Sequence, residues 1–171
     1  MLRLAKAFWD IALWRRTPAQ LPASVFLLVL VAAVVAVLEV AGALLPPGPS
    51  DRIAVRVLLS VGLPLAWTWT VLSIARHRQR FLQTGSALLG VAAMAQLVLY
   101  PLGSLLDVLG EKSPVAIPLG LLLFVGLIWY LLACANIWRS ALDSGLALGA
   151  AVALGYLLLS ILLEQQLLPD N

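Results

Sequence analysis

Charge is scarce in this chain. Only 11% of its 171 residues are Asp, Glu, Lys or Arg, against about a quarter in a soluble domain. A water-soluble fold would have too little polar surface to cover itself. That excludes an ordinary globular domain, a disordered chain and a nucleic-acid-binding domain. Ligating side chains are scarcer still, with one cysteine, Cys134, and one histidine, His77. One cysteine closes no internal disulfide. A Cys/His zinc site, a bis-histidine haem or an iron–sulfur cluster needs more ligands than these. The chain also lacks a Walker loop, GxSxG, HExxH and an intramembrane Asp pair with flanking glycine. Ser60, Thr68 and Ser160 are single hydroxyls with no base nearby in sequence. The expectation is no metal, no cofactor, no catalytic residue and no enzyme activity.

What the chain does have is apolar length. Hydrophobic residues make up 63% of it. A membrane span takes ~20 of them, so five spans use roughly 100–125 residues. The rest suffices only for loops and ends. The sequence therefore predicts an all-α integral membrane bundle of five transmembrane helices, one membrane domain over 1–171.

Residues 1–16 read as a short interfacial amphipathic helix. Arg3, Lys6 and Asp10 share one narrow face, and Leu2, Leu4, Ala5, Phe8, Trp9, Ala12 and Leu13 cover the rest. Aromatics beside a basic face favour lying in the headgroup plane. Thr17-Pro18 and Leu21-Pro22 then break the helix. The following run is too long for a signal-peptide core, and Pro46-Pro47-Gly48-Pro49 follows it instead of a small-residue cleavage site, so it reads as a true span. The spans fall at about 23–45, 52–75, 81–109, 115–137 and 144–168. Pro64 in span 2 and Tyr100-Pro101-Leu102-Gly103 in span 3 are candidate breaks or kinks.

Alternate loops give an orientation. Arg3, Lys6, Arg15, Arg16, Arg76, Arg78, Arg80 and Arg139 lie on the side of the N-terminus. Arg52, Arg56 and Lys112 lie on the other. By the positive-inside rule the N-terminus is cytoplasmic and the C-terminus outside. Trp14, Trp67, Trp69, Trp129 and Trp138 sit toward the cytoplasmic ends, as an aromatic belt would. The net charge of +3 needs no anionic partner beyond these flanks. Arginine supplies nine of the eleven cations, and Ala, Leu, Gly and Val dominate. That composition points to a GC-rich bacterial genome and hence to a bacterial inner membrane.

Glu39 is the one charge inside span 1. It lies about six residues from the outer end, ~9 Å deep at 1.5 Å per residue. A carboxylate there needs a partner or a proton. Arg56, one turn into span 2 across a short hairpin, is the expected partner. Arg52, Asp107 and Glu164 reach the same level. The cluster reads either as an ion-pair clasp or as a site for a cation, proton or lipid headgroup. Arg76, Arg78 and Arg80 read as a topological anchor or as a contact for anionic lipids. Ala141, Gly145, Gly149 and Ala153 form a small-residue ladder, with Gly145 and Gly149 as candidates for close helix packing or homodimerisation.

The five closely spaced spans, with N-terminus inside and C-terminus outside, resemble the Yip family of integral membrane proteins. The lead segment Phe8-Trp9-Asp10-Ile11-Ala12-Leu13-Trp14-Arg15-Arg16-Thr17-Pro18 is similar to the short lead with a proline in bacterial relatives. Eukaryotic members carry a longer soluble N-terminal region with an Asp-Leu-Tyr-Gly-Pro-type motif and are linked to Rab GTPases. This chain lacks that motif, and the bacterial relatives have no assigned reaction. The resemblance thus implies a membrane layout and no site residues. The expected function is a non-enzymatic membrane scaffold or accessory protein, working through helix or lipid contacts. Its partners would be membrane lipids, another membrane protein or a second copy. The alternative is a small transporter or lipid-handling protein using the ionisable cluster near the outer interface.

Overall fold

The computed structural model describes residues 2–15, 18–43, 52–110 and 113–167. It is all-α, with no strand among the described residues. A short helix, α1 (Leu2–Ala12), and a 3-10 turn, Pro18–Gln20, lead into α2 (Val25–Ala43). α3 (Ile53–Ile74) follows, then a second 3-10 turn at Arg78–Arg80, α4 (Phe81–Leu109), α5 (Ala116–Ala141) and α6 (Leu146–Leu167). Helices α2 to α6 are each long and apolar enough to cross a membrane. The protein is a multi-pass membrane bundle, and α2 to α6 are the five spans expected from the sequence. Their bounds differ most at the end of α5. The helix runs on to Ala141 because Ile137, Trp138 and Ala141 are buried against the bundle.

α4 is the axis of the fold. Every residue from Thr84 to Val91 is buried, so the helix is apolar all round and covered all round. It packs against α1, α2, α3 and α5. α6 sits outside, packed along α5 and touching α3 sparsely. α2 meets α4 with the stripe Leu28, Val31, Val35 and Glu39, the i, i+3, i+4 spacing of one helix face.

Neither proline breaks its helix. α4 runs unbroken through Pro101. In α3 a π-helical turn, Leu58–Gly62, comes directly before Pro64. Proline has no N–H and its ring crowds the carbonyl four residues back, here that of Ser60. The wider π turn shifts that carbonyl aside, and such turns recur at functional sites. The Thr68 hydroxyl donates to the Pro64 carbonyl at 2.6 Å.

The amphipathic α1 is present, but its apolar side meets protein where lipid was expected. Phe8, Ile11 and Ala12 are buried in the core that α4 and α5 share. The Phe8 ring occupies the space a side chain on Gly90 would need. Gly90 lies nine residues along α4, about 13 Å by helical rise. Trp9 packs on Trp129 of α5 with ring centroids 6.2 Å apart. α1 therefore docks against the bundle through Phe8, Ile11 and Ala12.

The small-residue ladder splits in two. A side chain at Gly149 would strike the backbone of α5 at Ala135, so α5 and α6 touch backbone to backbone there. Gly145 precedes α6 and has nothing within 4 Å. Only Gly149 is a packing glycine, and the helix it packs against is internal. The two glycines stay one turn apart, the Gly149 N–H bonding the Gly145 carbonyl at 3.3 Å, but Gly145 lies in the connection past Ala141, where α5 has ended.

Candidate functional site

The polar residues of the bundle gather at two levels. The first is the end that carries Arg76 to Arg80, here called the basic end. Arg80 Nη2 pairs with Asp143 Oδ2 at 2.7 Å. Arg80 Nη1 donates to the carbonyls of Ser140 and Ala141 at 3.1 and 3.0 Å. These are last-turn carbonyls of α5, which lack helical partners and carry the negative end of the helix dipole. Asp143 itself has a left-handed backbone, φ 48°, common just past a helix end. The adjacent guanidinium holds its carboxyl below the usual carboxylate range. Arg80, offered by the sequence as a lipid contact, is thus committed to capping α5. Arg78 lies over the Trp69 ring, 5.5 Å from its centroid, a cation–π contact. Arg76 is exposed.

The second level lies near the opposite end, around Glu39. α2 turns Glu39 toward α4 because it continues the apolar stripe of Leu28, Val31 and Val35. Its side chain is only 9% exposed. Oε1 accepts hydrogen bonds from Gln96 Nε2 at 2.8 Å and from the Tyr100 hydroxyl at 2.7 Å. Gln96 and Tyr100 are four apart on α4, one above the other on one face. Gly42 makes room for the Tyr100 ring, which lies 2.8 Å from where a Cβ would stand. A carboxylate, an amide and a phenol thus lock α2 to α4.

This corrects the expected pairing. Glu39 does not bond Arg56 directly; Arg56 acts on it through space, as Glu164 does. The physical reason is helix rotation. Hairpin neighbours are close along the chain, but α2 presents Glu39 to α4 and not to α3. Arg52 donates from Nη1 to the Leu167 carbonyl at 2.7 Å, tying the start of α3 to the last turn of α6. Asp107 is exposed and seven residues past Tyr100, about 10 Å further along α4, so it falls outside the level. The structure thus gathers Glu39, Arg56 and Glu164, places Arg52 at the rim and leaves Asp107 out. It adds Gln96, which the sequence reading passed over, and Tyr100 and Ser60, which it named only as part of a candidate break and as a lone hydroxyl. Two polar residues four apart in the apolar run of span 3 were the signal.

Two buried polar atoms at this level have no partner in the structure, Arg56 Nε and Gln96 Oε1. Such atoms are costly away from water. Deeper in the bundle, a cavity of about 40 Å³ lies between α3, α4, α5 and α6. Its lining includes Ser60, Pro64, Trp67, Tyr130, Cys134 and Tyr156. Trp67 Nε1 is also buried without a partner. Among the described residues no three His, Cys, Asp or Glu side chains come together. No family model, no curated protein and no solved structure matches the chain.

Proposed function

We propose that the chain is a non-enzymatic accessory protein of a bacterial inner membrane, acting through lipid and helix contacts. In this reading the basic end and the N-terminus face the cytoplasm, and the Glu39 level lies toward the outer surface. The five-span layout fits the resemblance to bacterial Yip-like proteins. One observation carries the reading. Glu39, Arg80 and Arg52 anchor the bundle to itself, while the long faces of the spans are turned outward and apolar. Glu39 is held by Gln96 and Tyr100, Arg80 by Asp143 and the end of α5, and Arg52 by the end of α6. On α5 alone, Ile117, Leu121, Phe124, Val125 and Ile128 are exposed. Apolar area of that extent belongs in lipid or against another helix.

The test is flux set against contact. Reconstituted vesicles should show no solute or ion flux that depends on Glu39. Glu39→Gln, which keeps an acceptor oxygen for Gln96 and Tyr100, should leave the fold and the protein partners captured in mild detergent close to wild type. Flux that is abolished by Glu39→Gln would overturn the reading in favour of a small transporter.

A further inference from the structure

α3 and α6 form a cleft whose inner part is the cavity lined by Ser60, Pro64, Trp67, Tyr156 and Leu157. The two helices are antiparallel and tied at two places. At one end Arg52 bonds the Leu167 carbonyl. At the other the Trp67 indole packs on Gly155, 3.4 Å from where a Cβ would stand. Between these ties they meet only sparsely. On α3, Ser60, Pro64 and Trp67 line one cavity, and Arg56 lies four residues before Ser60. α6 carries Tyr156, Ser160 and Glu164 at i, i+4 and i+8. Counting inward from the Arg52–Leu167 tie sets Arg56 level with Glu164 and Ser60 level with Ser160.

The groups at this level are of unequal saturation. Arg56 Nε is a buried guanidinium donor without an acceptor. Glu164 presents an exposed carboxylate. The Ser60 and Ser160 hydroxyls donate to carbonyls of their own helices, Val57 and Leu157, so their oxygens are left as acceptors. Arg52 is bonded to the Leu167 carbonyl and Glu39 to Gln96 and Tyr100. That leaves one cation, Arg56, and one carboxylate, Glu164, a pairing that a zwitterionic headgroup matches and an anionic one does not. Further in, the walls turn apolar with Pro64, Leu157 and Leu131, and lead to the cavity beside Trp67.

We propose that this cleft binds an amine-bearing phospholipid, its phosphate on Arg56, its ammonium on Glu164 and an acyl chain along α3 toward Trp67. Arg56 lies four residues inside Arg52, about 6 Å by helical rise. Guanidinium to phosphate is a strong charge-assisted bond. The proposal rests on the reading that the protein works through lipid contacts, and names the lipid class and its place.

The full chain, purified in mild detergent, is mixed with phosphatidylethanolamine, phosphatidylcholine, phosphatidylglycerol or soluble phosphoethanolamine. Retained lipid is counted by native mass spectrometry, and thermal stability is followed in parallel. Phosphatidylethanolamine should be retained best and raise the melting temperature most. Arg56→Gln and Glu164→Gln should each cut its retention about tenfold, and Asp107→Asn should not. Glu164 is exposed, so its variant keeps the fold and tests the site even if Arg56→Gln is unstable. Equal retention of phosphatidylglycerol, or retention unchanged by Glu164→Gln, would overturn the site while leaving other lipid contacts standing. Stabilisation by phosphoethanolamine equal to that by the lipid would overturn the acyl-chain part. Glu39-dependent flux, measured separately, bears on the broader reading alone.

Discussion

Removing one oxygen atom tests how the bundle holds its buried carboxylate. Tyr100→Phe deletes the hydroxyl that donates to Glu39 at 2.7 Å and leaves the ring against Gly42. A hydrogen bond to a charged group contributes about 1.5–3 kcal/mol in water-soluble proteins. Polar pairs in membrane proteins average about 0.6 and reach about 1.7 kcal/mol, because the unfolded chain in lipid also finds partners. The short bond and the burial of Glu39 place this pair at the upper end, about 1–1.5 kcal/mol. Glu39→Ala is worse, since it strands the Gln96 amide and the Tyr100 hydroxyl together. At about 1–3 kcal/mol for each unsatisfied group, it should cost about 2–4 kcal/mol. The assay is unfolding in mixed micelles, run as double-mutant cycles. Tyr100→Phe with Glu39→Ala should fall short of additive by about 1 kcal/mol or more. Arg56→Ala with Glu39→Ala should couple by less than half of that, because Arg56 acts through space. Tyr100 additivity within about 0.3–0.5 kcal/mol, or an Arg56 coupling larger than that of Tyr100, would refute the reasoning.

Three further outcomes follow from the packing and the charges. Gly149→Val should cost about 2–3 kcal/mol, since its side chain meets the α5 backbone at Ala135, whereas Gly145→Val, in open space, should cost under about 0.5; unfolding of the two variants side by side decides it. Gly90→Val should push out Phe8 and lift α1, which hydrogen exchange would report as lost protection over Leu2–Ala12 with α2 unchanged. The Asp143 carboxyl has its folded pKa depressed by Arg80, so the clasp contributes above the unfolded value near 4 and is lost as pH falls through the lower folded value. Acid titration followed by NMR at Asp143 should show the depressed midpoint, and Arg80→Gln should return it to the ordinary one.

Much of the architecture was legible because hydropathy and length act locally. The ~20-residue apolar runs between charged or proline-rich turns marked all five spans, and α4 begins and ends where the sequence placed it. Glu39 stood out because a carboxylate in an apolar run is rare for an energetic reason. Its partners were hidden by rotation about the helix axis, which only tertiary packing sets. The stripe Leu28-Val31-Val35-Glu39 held the clue, since a charge continuing a buried stripe faces whatever that stripe faces. Hairpin proximity favoured Arg56 and misled. The π turn was hidden for a related reason. Pro64 predicts a disturbance, but whether the helix kinks, breaks or widens depends on its neighbours. α1 was legible as an amphipathic helix and illegible as a docked one, because its moment says that a face is buried, not what covers it.

The cleft, the Glu39 level and the basic end all take their meaning from the side of the membrane they face. Alkaline phosphatase fused after Gln79, between α3 and α4, and after Asn171, past α6, reads that side directly, because the enzyme is active only outside the cytoplasm. The account predicts an inactive fusion at Gln79 and an active one at Asn171. An active fusion at Gln79 with an inactive one at Asn171 would contradict it.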